Sequence, residues 1–174
     1  NISPVQLRDP NFADDILGIV ERYGLSPHQF ELELTEGILV NNPTIAKRKL
    51  AMLKEFGFHL ALDDFGTGFS SLDYLRRFPV DRIKIAQVFI IDLATAAGDA
   101  AIVKAAIGLA RELGISVIAE GVETEAQLRL LQAWGCREVQ GYYFAKPLEP
   151  ADILPMLRSG RIAPAGRPRI ESVA

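Results

Sequence analysis

The sequence has little cysteine, no long apolar run and no excess of positive charge. Cys136 is the only cysteine among 174 residues, which excludes a disulfide within the chain and favours a reducing compartment. No apolar run approaches the roughly 20 residues that a membrane-spanning helix needs. The net charge of −3 argues against a protein that binds duplex nucleic acid, but it allows a small anionic ligand held through metal ions. We therefore expect a cytoplasmic protein.

The chain also lacks a signal peptide and an initiator Met, and we expect it to be an excerpt of a longer protein. Its composition, 49% hydrophobic and 24% charged, is typical of a globular domain, and residues 1–158 are predicted to form one. Residues 159–174 are rich in proline, glycine and arginine without periodicity, and they are predicted to be a flexible tail.

Short apolar runs alternate along the chain with longer stretches of helical spacing. The predicted strands are 1–3, 30–35, 59–63, 82–86, 116–119 and 138–140. The predicted helices are 11–23, 43–56, 70–77, 98–113, 125–134 and 150–157. Thr124 is the predicted N-cap of the helix at 125–134. The helix at 98–113 is predicted to pack on the sheet through a stripe of Ile102, Ala105, Ala106, Leu109 and Leu113.

Strict alternation of strand and helix predicts an α/β fold with a parallel sheet and right-handed crossovers. A closed (β/α)8 barrel has eight such units and typically about 250 residues, whereas this chain has about six. The chain is therefore either a six-stranded open sheet or a TIM-type barrel whose first strands are missing. The truncated strand at residues 1–3 favours the incomplete barrel.

Polar side chains stand at the C-terminal ends of the predicted strands. They are Glu33, Thr35, Glu36, Asp63, Asp64, Lys84, Glu120, Glu123 and Gln140, and Asn1 opens the first strand. In parallel α/β folds this edge of the sheet carries ligands and chemistry. Carboxylates crowded on such an edge repel one another and need a compensating cation, for which Lys84 alone is too little.

A divalent metal ion is the cation that these residues favour. The oxygen ligands of Asn, Asp and Glu suit Mg²⁺ or Mn²⁺ better than Zn²⁺, and the sequence has no cluster of Cys or His. The adjacent Asp63 and Asp64 are placed to bridge two metal ions. Because two metals about 3.5–4 Å apart clamp an in-line displacement at phosphorus, the residues alone predict metal-assisted hydrolysis of a phosphoester.

The segment from Asp63 to Gly68 is rich in glycine, but it lacks the Gly-Lys-Ser/Thr ending of a phosphate-binding loop. We expect a mobile loop beside the acidic pair, held by Glu36 through hydrogen bonds to its backbone or to Thr67. Cys136 is expected to be a small buried residue and not a nucleophile.

Six motifs resemble those of the EAL-domain family, the cyclic-di-GMP-specific phosphodiesterases of bacterial signalling, and the resemblance runs from Asn1 to about Met156. They are Asn1-x-Ser3-x-x-Gln6, Glu33-x-Thr35-Glu36, Asp63-Asp64-Phe65-Gly66-Thr67-Gly68-x-Ser70-Ser71-Leu72, Pro79-x-Asp81-x-x-Lys84-Ile85, Ala119-Glu120-Gly121-Val122-Glu123-Thr124 and Gly135-Cys136-x-x-x-Gln140-Gly141-Tyr142-x-Phe144. The third and fifth of these strings are together highly specific.

The resemblance implies a modified (β/α)8 barrel with a two-metal site of Mg²⁺ or Mn²⁺, inhibited by Ca²⁺, that opens cyclic-di-GMP to linear pGpG. The implied metal ligands are Asn1, Glu33, Asp63, Asp64 and Glu120, with Asp63 bridging and Glu120 alternatively a general base. By the same resemblance Lys84 positions the attacking water and steadies charge on the phosphate. The implied substrate groove is formed by Gln6, Glu123 and Gln140.

The resemblance also implies partners. A homodimer would form through the region around Phe65–Ser70, a loop that Glu36 and Thr67 anchor. Common companions of such domains are an upstream sensory or cyclase domain and, in some proteins, a membrane anchor.

The sequence departs from the family pattern at two places. The Glu-Ala-Leu segment that names the family would lie upstream of Asn1, and its Glu is a metal ligand. Ala86 stands where the family usually has Asp after Lys-Ile.

Three functions follow from these observations. The first is an active phosphodiesterase, and the second is a degenerate EAL domain that binds the dinucleotide or a protein without cleavage. A barrel lyase or isomerase acting on a sugar phosphate would explain the polar edge but not the motifs.

Overall fold

A computed structural model of the chain describes residues 1–41, 43–68 and 72–159. Its centre is a parallel sheet of five strands that lie in chain order. They are β1 (Glu31–Thr35), β2 (His59–Phe65), β3 (Arg82–Ile85), β4 (Ser116–Ala119) and β5 (Glu138–Val139). Because the order never reverses, right-handed crossovers place every connecting helix on the same face, as in a barrel wall.

The helices surround this face of the sheet. They are α1 (Pro4–Arg8), α2 (Phe12–Arg22), α3 (Glu36–Asn41), α4 (Pro43–Glu55), α5 (Leu72–Arg77), α6 (Val88–Ile91), α7 (Ala97–Leu113), α8 (Glu125–Ala133) and α9 (Pro150–Ser159), with a 3₁₀ turn at Pro27–Gln29. The predicted helices are confirmed to within a few residues, whereas α1, α3 and α6 were not predicted. Within the described ranges every helix is too short or too polar to span a lipid bilayer.

The strand predicted at residues 1–3 is wrong. Ser3 instead caps α1, accepting from the backbone N–H of Gln6, while the Gln6 side chain accepts from the backbone N–H of Ser3. This capping box, with Pro4 in the first turn, favours a helix directly after Ser3. One backbone hydrogen bond still ties the segment to the sheet, from Ile2 N to the carbonyl oxygen of Glu33 at 2.7 Å.

The core lies between the sheet and its helices. On β1, Leu32 and Leu34 are buried, and alternation places Glu31 and Glu33 on the opposite face of the sheet. Leu60 and Leu62 continue the buried layer on β2, as Ile83 and Ile85 do on β3. The apolar side chains therefore hold the helices against one face and leave the other face for charged residues.

The predicted stripe of α7 is confirmed at Ala106 and, partly buried, at Leu109, but the rest of the buried face is displaced by one position. The buried residues of the helix are Val103, Ala106, Ile107 and Ala110, while Ile102 and Leu113 are 45% and 42% exposed. The helix is apolar on more than one side, so two stripes of the same spacing fit the sequence and only the sheet selects between them.

The helix ends follow the local sequence more closely. Thr124 is confirmed as the N-cap of α8, in a capping box with Gln127. Ser159 is the last residue of α9, and the rest of the predicted tail lies outside the described residues.

Candidate active site

Four predicted site residues meet at the C-terminal edge of the sheet. Lys84 Nζ, on β3, lies 2.7 Å from Glu33 Oε1 of β1, 3.0 Å from Asp63 Oδ1 of β2 and 2.9 Å from Glu120 Oε1, which directly follows β4. The Lys84 side chain is only 9% exposed. We call these four residues the upper layer. Three carboxylates face one ammonium, which leaves two negative charges uncompensated.

Burial and charge act in opposite directions on Lys84. Burial alone would lower its pKa, but hydrogen bonds to Glu33, Glu120 and Asp63 outweigh that effect and raise the pKa above its ordinary value. The side chain is therefore a permanent cation at neutral pH.

A bulge in β2 separates the two adjacent aspartates. Leu62 pairs with Ile83 and Phe65 with Ile85, so β2 has one residue more than β3 between these pairs. Asp64 occupies this bulge in a left-handed conformation, with φ of 53°, which Asp tolerates better than most residues. As a result Asp63 lies in the upper layer, whereas Asp64 is exposed.

The loop after β2 is held from its base. The buried carboxylate of Glu36 accepts a hydrogen bond from Gly66 N at 2.9 Å, and a Cβ at Gly68 would come within 2.8 Å of the same carboxylate. Thr67 Oγ1 donates to the carbonyl oxygen of Asp64 at 2.9 Å and closes the turn. The rest of the predicted dimer region, Phe69 and Ser70, lies outside the described residues.

The other predicted site residues form no ion pair with Lys84 in the described parts of the chain. Asn1, Gln6, Glu123 and Gln140 are exposed. Asn1 lies beside β1 because the next residue bonds to Glu33, and Gln6 is engaged in the α1 capping box. The backbone N–H of Gln140 bonds to the carbonyl oxygen of Ala119, which fixes β5 beside the end of β4.

The upper layer fits a hard divalent cation in donor type and in charge. All its candidate ligand atoms are carboxylate oxygens, and the buried Asp63 Oδ1 is paired with Lys84 Nζ at 3.0 Å. No three acidic, His or Cys side chains of the described ranges are grouped tightly enough to hold a metal ion as they stand. Lys84 occupies the point where the carboxylates converge.

A second charged cluster on the same face of the sheet was not predicted. Arg82 Nη1 lies 3.1 Å from Glu31 Oε2, and its Nη2 lies 2.7 Å from Glu138 Oε2, while Nε donates to Ser116 Oγ at 3.2 Å. We call Arg82, Glu31 and Glu138 the lower layer. The available signal was spacing, since each stands two residues before Lys84, Glu33 or Gln140 and so shares a face with it.

Ala86 and Cys136, which the sequence analysis singled out, are both buried. Ala86 follows β3 directly and is 2% exposed, so a methyl group and not a carboxylate stands at this position after Lys84 and Ile85. Cys136 is buried, and burial raises the pKa of its thiol, as expected for a structural cysteine.

Residues 1–147 match the EAL domain family. Over 158 residues the chain is 39% identical to the "Cyclic di-GMP phosphodiesterase PA2567" of Pseudomonas aeruginosa, covering 91% of this chain and 27% of that protein. The chain spans between 21% and 27% of the length of three curated relatives that it matches.

Solved structures share the fold. The EAL domain of Mycobacterium smegmatis DcpA superposes with a TM-score of 0.88 at 38% identity, covering 94% of this chain and 73% of that one. Klebsiella pneumoniae BlrP1, solved with cy-diGMP and either calcium or manganese, gives TM-scores of 0.77 and 0.76 at 34% identity, covering 82% of this chain and 36% of that one.

These neighbours are TIM-type barrels, and the five parallel strands reproduce part of such a barrel. The predicted incomplete α/β barrel is therefore confirmed. With the family match over residues 1–147, the chain belongs to the EAL domain family.

Proposed function

We propose that the chain is part of a phosphodiesterase that hydrolyses cyclic-di-GMP to linear pGpG with Mg²⁺ or Mn²⁺. The observation that carries this proposal is the upper layer, in which three carboxylates at strand ends converge on one buried ammonium. Such a surplus of negative charge at low exposure is stable when a further cation is present. The relative from Pseudomonas aeruginosa and the manganese complex of BlrP1 support the substrate and the kind of metal.

The metal ligands in this proposal are Asn1, Glu33, Asp63, Asp64 and Glu120. When bound, the two metals would supply a hydroxide nucleophile and polarise the phosphoryl oxygens. Asp63, whose carboxylate lies 3.0 Å from Lys84 in the upper layer, would be held in common by both metals. The β2 bulge takes Asp64 out of the strand pairing. The carboxylate of Asp64 would therefore reach the metals from a different side than that of Asp63.

The protein residues move the protons and hold the charge. Lys84, kept charged by its neighbours, orients the attacking water and stabilises the developing negative charge on the phosphate. Glu120, 2.9 Å from Lys84, accepts a proton from that water if it is not itself a ligand. The new P–O bond replaces the bond to the 3′ oxygen, which leaves with a proton as a hydroxyl, so the product is a linear dinucleotide with a 5′ phosphate.

The exposed polar residues around the upper layer form the substrate groove in this proposal. Gln6 and Gln140 line it, and Glu123 supports it. Glu36 and Thr67 hold the loop after β2, through which a homodimer would form around Phe65–Ser70. The full-length protein would carry an upstream sensory or cyclase domain and act in the cytoplasm.

The test is an incubation of the full-length protein with cyclic-di-GMP and Mn²⁺, followed by chromatography for pGpG. We expect product from the wild type and none from Asp63→Ala, with circular dichroism showing that the variant folds. Product from Asp63→Ala would overturn the two-metal assignment, and no product from the wild type would overturn the hydrolase.

A second function is favoured by Ala86. A buried methyl group stands where the family motif has a carboxylate, which is compatible with a receptor that binds cyclic-di-GMP without cleaving it. The receptor predicts that the dinucleotide raises the melting temperature of the full-length protein while no pGpG forms.

A further inference from the structure

Gln127, in the first turn of α8, makes hydrogen bonds that the proposed mechanism does not use. Its side chain is buried, at 5% exposure. Its Oε1 accepts from the backbone N–H groups of Glu123 and Thr124, both at 2.8 Å. Its Nε2 donates to the carbonyl oxygens of Ile90 at 2.8 Å and Ile91 at 3.0 Å. Both ends of the amide are therefore fully used.

Only the hydrogen bonds that Gln127 Oε1 accepts belong to a helix cap. The capping box of α8 requires the contact with Thr124, but it does not require a contact with α6, which lies 36 residues earlier in the chain. The hydrogen bonds that its Nε2 donates instead connect the loop at residues 120–124 to the C-terminal end of α6.

The same loop carries Glu120. Glu120 N donates to the carbonyl oxygen of Ile85 at 3.2 Å, and Val122 N donates to that of Gln140 at 3.0 Å. Gly121 packs so closely on Gln87, the residue directly before α6, that a Cβ there would come within 2.2 Å of the Gln87 side chain. The loop is thus fixed to the ends of β3 and β5, to Gln87 through Gly121, and to α6 through Gln127.

Helix α6 is also linked to Lys84, because only Ile85, Ala86 and Gln87 lie between them. Lys84 is thus attached to α6 through the chain, and the loop that carries Glu120 is attached to α6 through Gln127. The two side chains lie 2.9 Å apart. We propose that Gln127 is a positioning residue that holds Glu120 against Lys84 by fastening the loop at 120–124 to α6. This inference rests on the proposed function, in which Glu120 is a metal ligand or base.

The test compares Gln127→Glu with Gln132→Glu in the full-length protein. Gln127→Glu keeps the two accepted bonds and removes the donation to Ile90 and Ile91, whereas Gln132 is exposed on the same helix and serves as the matched control. The readouts are Mn²⁺ affinity by calorimetry, kcat and KM for cyclic-di-GMP, and the melting temperature.

We expect Gln127→Glu to lower Mn²⁺ affinity and kcat each by about tenfold with KM changed less than about twofold, as for residues that orient metal ligands. Gln132→Glu should change none of these. On a Glu120→Gln background, Gln127→Glu should cause no further loss of Mn²⁺ affinity, because both changes act on the same ligand.

A lower melting temperature with unchanged Mn²⁺ affinity, or additive losses in the double variant, would overturn the inference and leave Gln127 as a helix cap. Should Gln127→Glu not fold, Gln127→Ala, which removes the donation to α6 together with the cap contact, must lower Mn²⁺ affinity more than Thr124→Ala, which removes only a cap bond. The Mn²⁺ affinities remain informative even if the wild type releases no pGpG, a result that would contradict the proposed function and not the role of Gln127.

Discussion

The upper and lower layers share β1 and β3, on each of which their residues stand two positions apart on the same face of the sheet. In the lower layer the guanidinium fork of Arg82 contacts Glu31 and Glu138 at opposite sides and Ser116 with its remaining nitrogen. In the upper layer a single ammonium faces three carboxylates. The Arg82 side chain is 26% exposed, against 9% for Lys84.

The difference distinguishes a structural cluster from a candidate active site. Arg82 satisfies its partners through fixed, planar geometry, and water screens a cluster of this exposure. Lys84 is a point charge that leaves its carboxylates undercompensated in drier surroundings, where each charge interacts more strongly. A strand edge is thus a candidate active site when its charges are both buried and unbalanced, and not merely because charges are present.

The largest effect is expected from Lys84→Met. Turnover of cyclic-di-GMP should fall by about 10²–10³-fold, because in the proposed mechanism Lys84 is the group that stabilises charge on the phosphate. Steady-state kinetics of the folded full-length protein measure this. Turnover within a few-fold of the wild type would mean that Lys84 contributes to stability alone, and that the upper layer is structural like the lower layer.

Arg82→Met should show the opposite pattern. The variant leaves Glu31 and Glu138 without their partner, and we expect the free energy of unfolding to fall by about 1–2 kcal/mol, between the values for exposed and buried pairs. Urea unfolding measures the loss. The value of kcat/KM should stay within about twofold of the wild type, since the cluster lies below the reacting groups. A large loss of kcat/KM in a folded variant would mean that the lower layer also takes part in turnover and that the two layers form one site.

Ala86→Asp sharpens the contrast by adding a carboxylate next to the upper layer. Without metal the melting temperature should fall, because Ala86 is buried and the layer already carries excess negative charge. With saturating Mn²⁺ the melting temperature should recover and metal affinity should rise several-fold. Thermal unfolding with EDTA and with Mn²⁺ tests both. No change in affinity would mean that Ala86 is tolerated.

The smallest effect concerns alkaline pH. The pKa of Lys84 is raised in the folded protein, so its contribution to stability is fully present below its ordinary pKa of 10.5 and is lost as pH rises further. The difference in unfolding free energy between the wild type and Lys84→Met, in EDTA, should be constant from about pH 8 to about pH 10 and shrink above that range. A difference that shrinks already at neutral pH would contradict the raised pKa.

The upper layer was accessible to prediction because its members stand at strand ends, where a parallel sheet gathers them. The lower layer was not predicted. Spacing places its residues on the right face of the sheet, but Glu31, Arg82 and Glu138 belong to alternate strands and meet only when the sheet curves. The displaced stripe of α7 and the absence of the strand predicted at residues 1–3 have a similar origin. In both, two local patterns were compatible with the sequence, and packing or capping selected one.

The central claim is that the upper layer is a metal-dependent site, and a calorimetric titration of Mn²⁺ into the full-length wild type, Arg82→Met and Asp63→Ala tests it most directly. We predict the same affinity for the wild type and Arg82→Met, and no binding to Asp63→Ala. Undiminished binding to Asp63→Ala, or equal losses in both variants, would contradict the account.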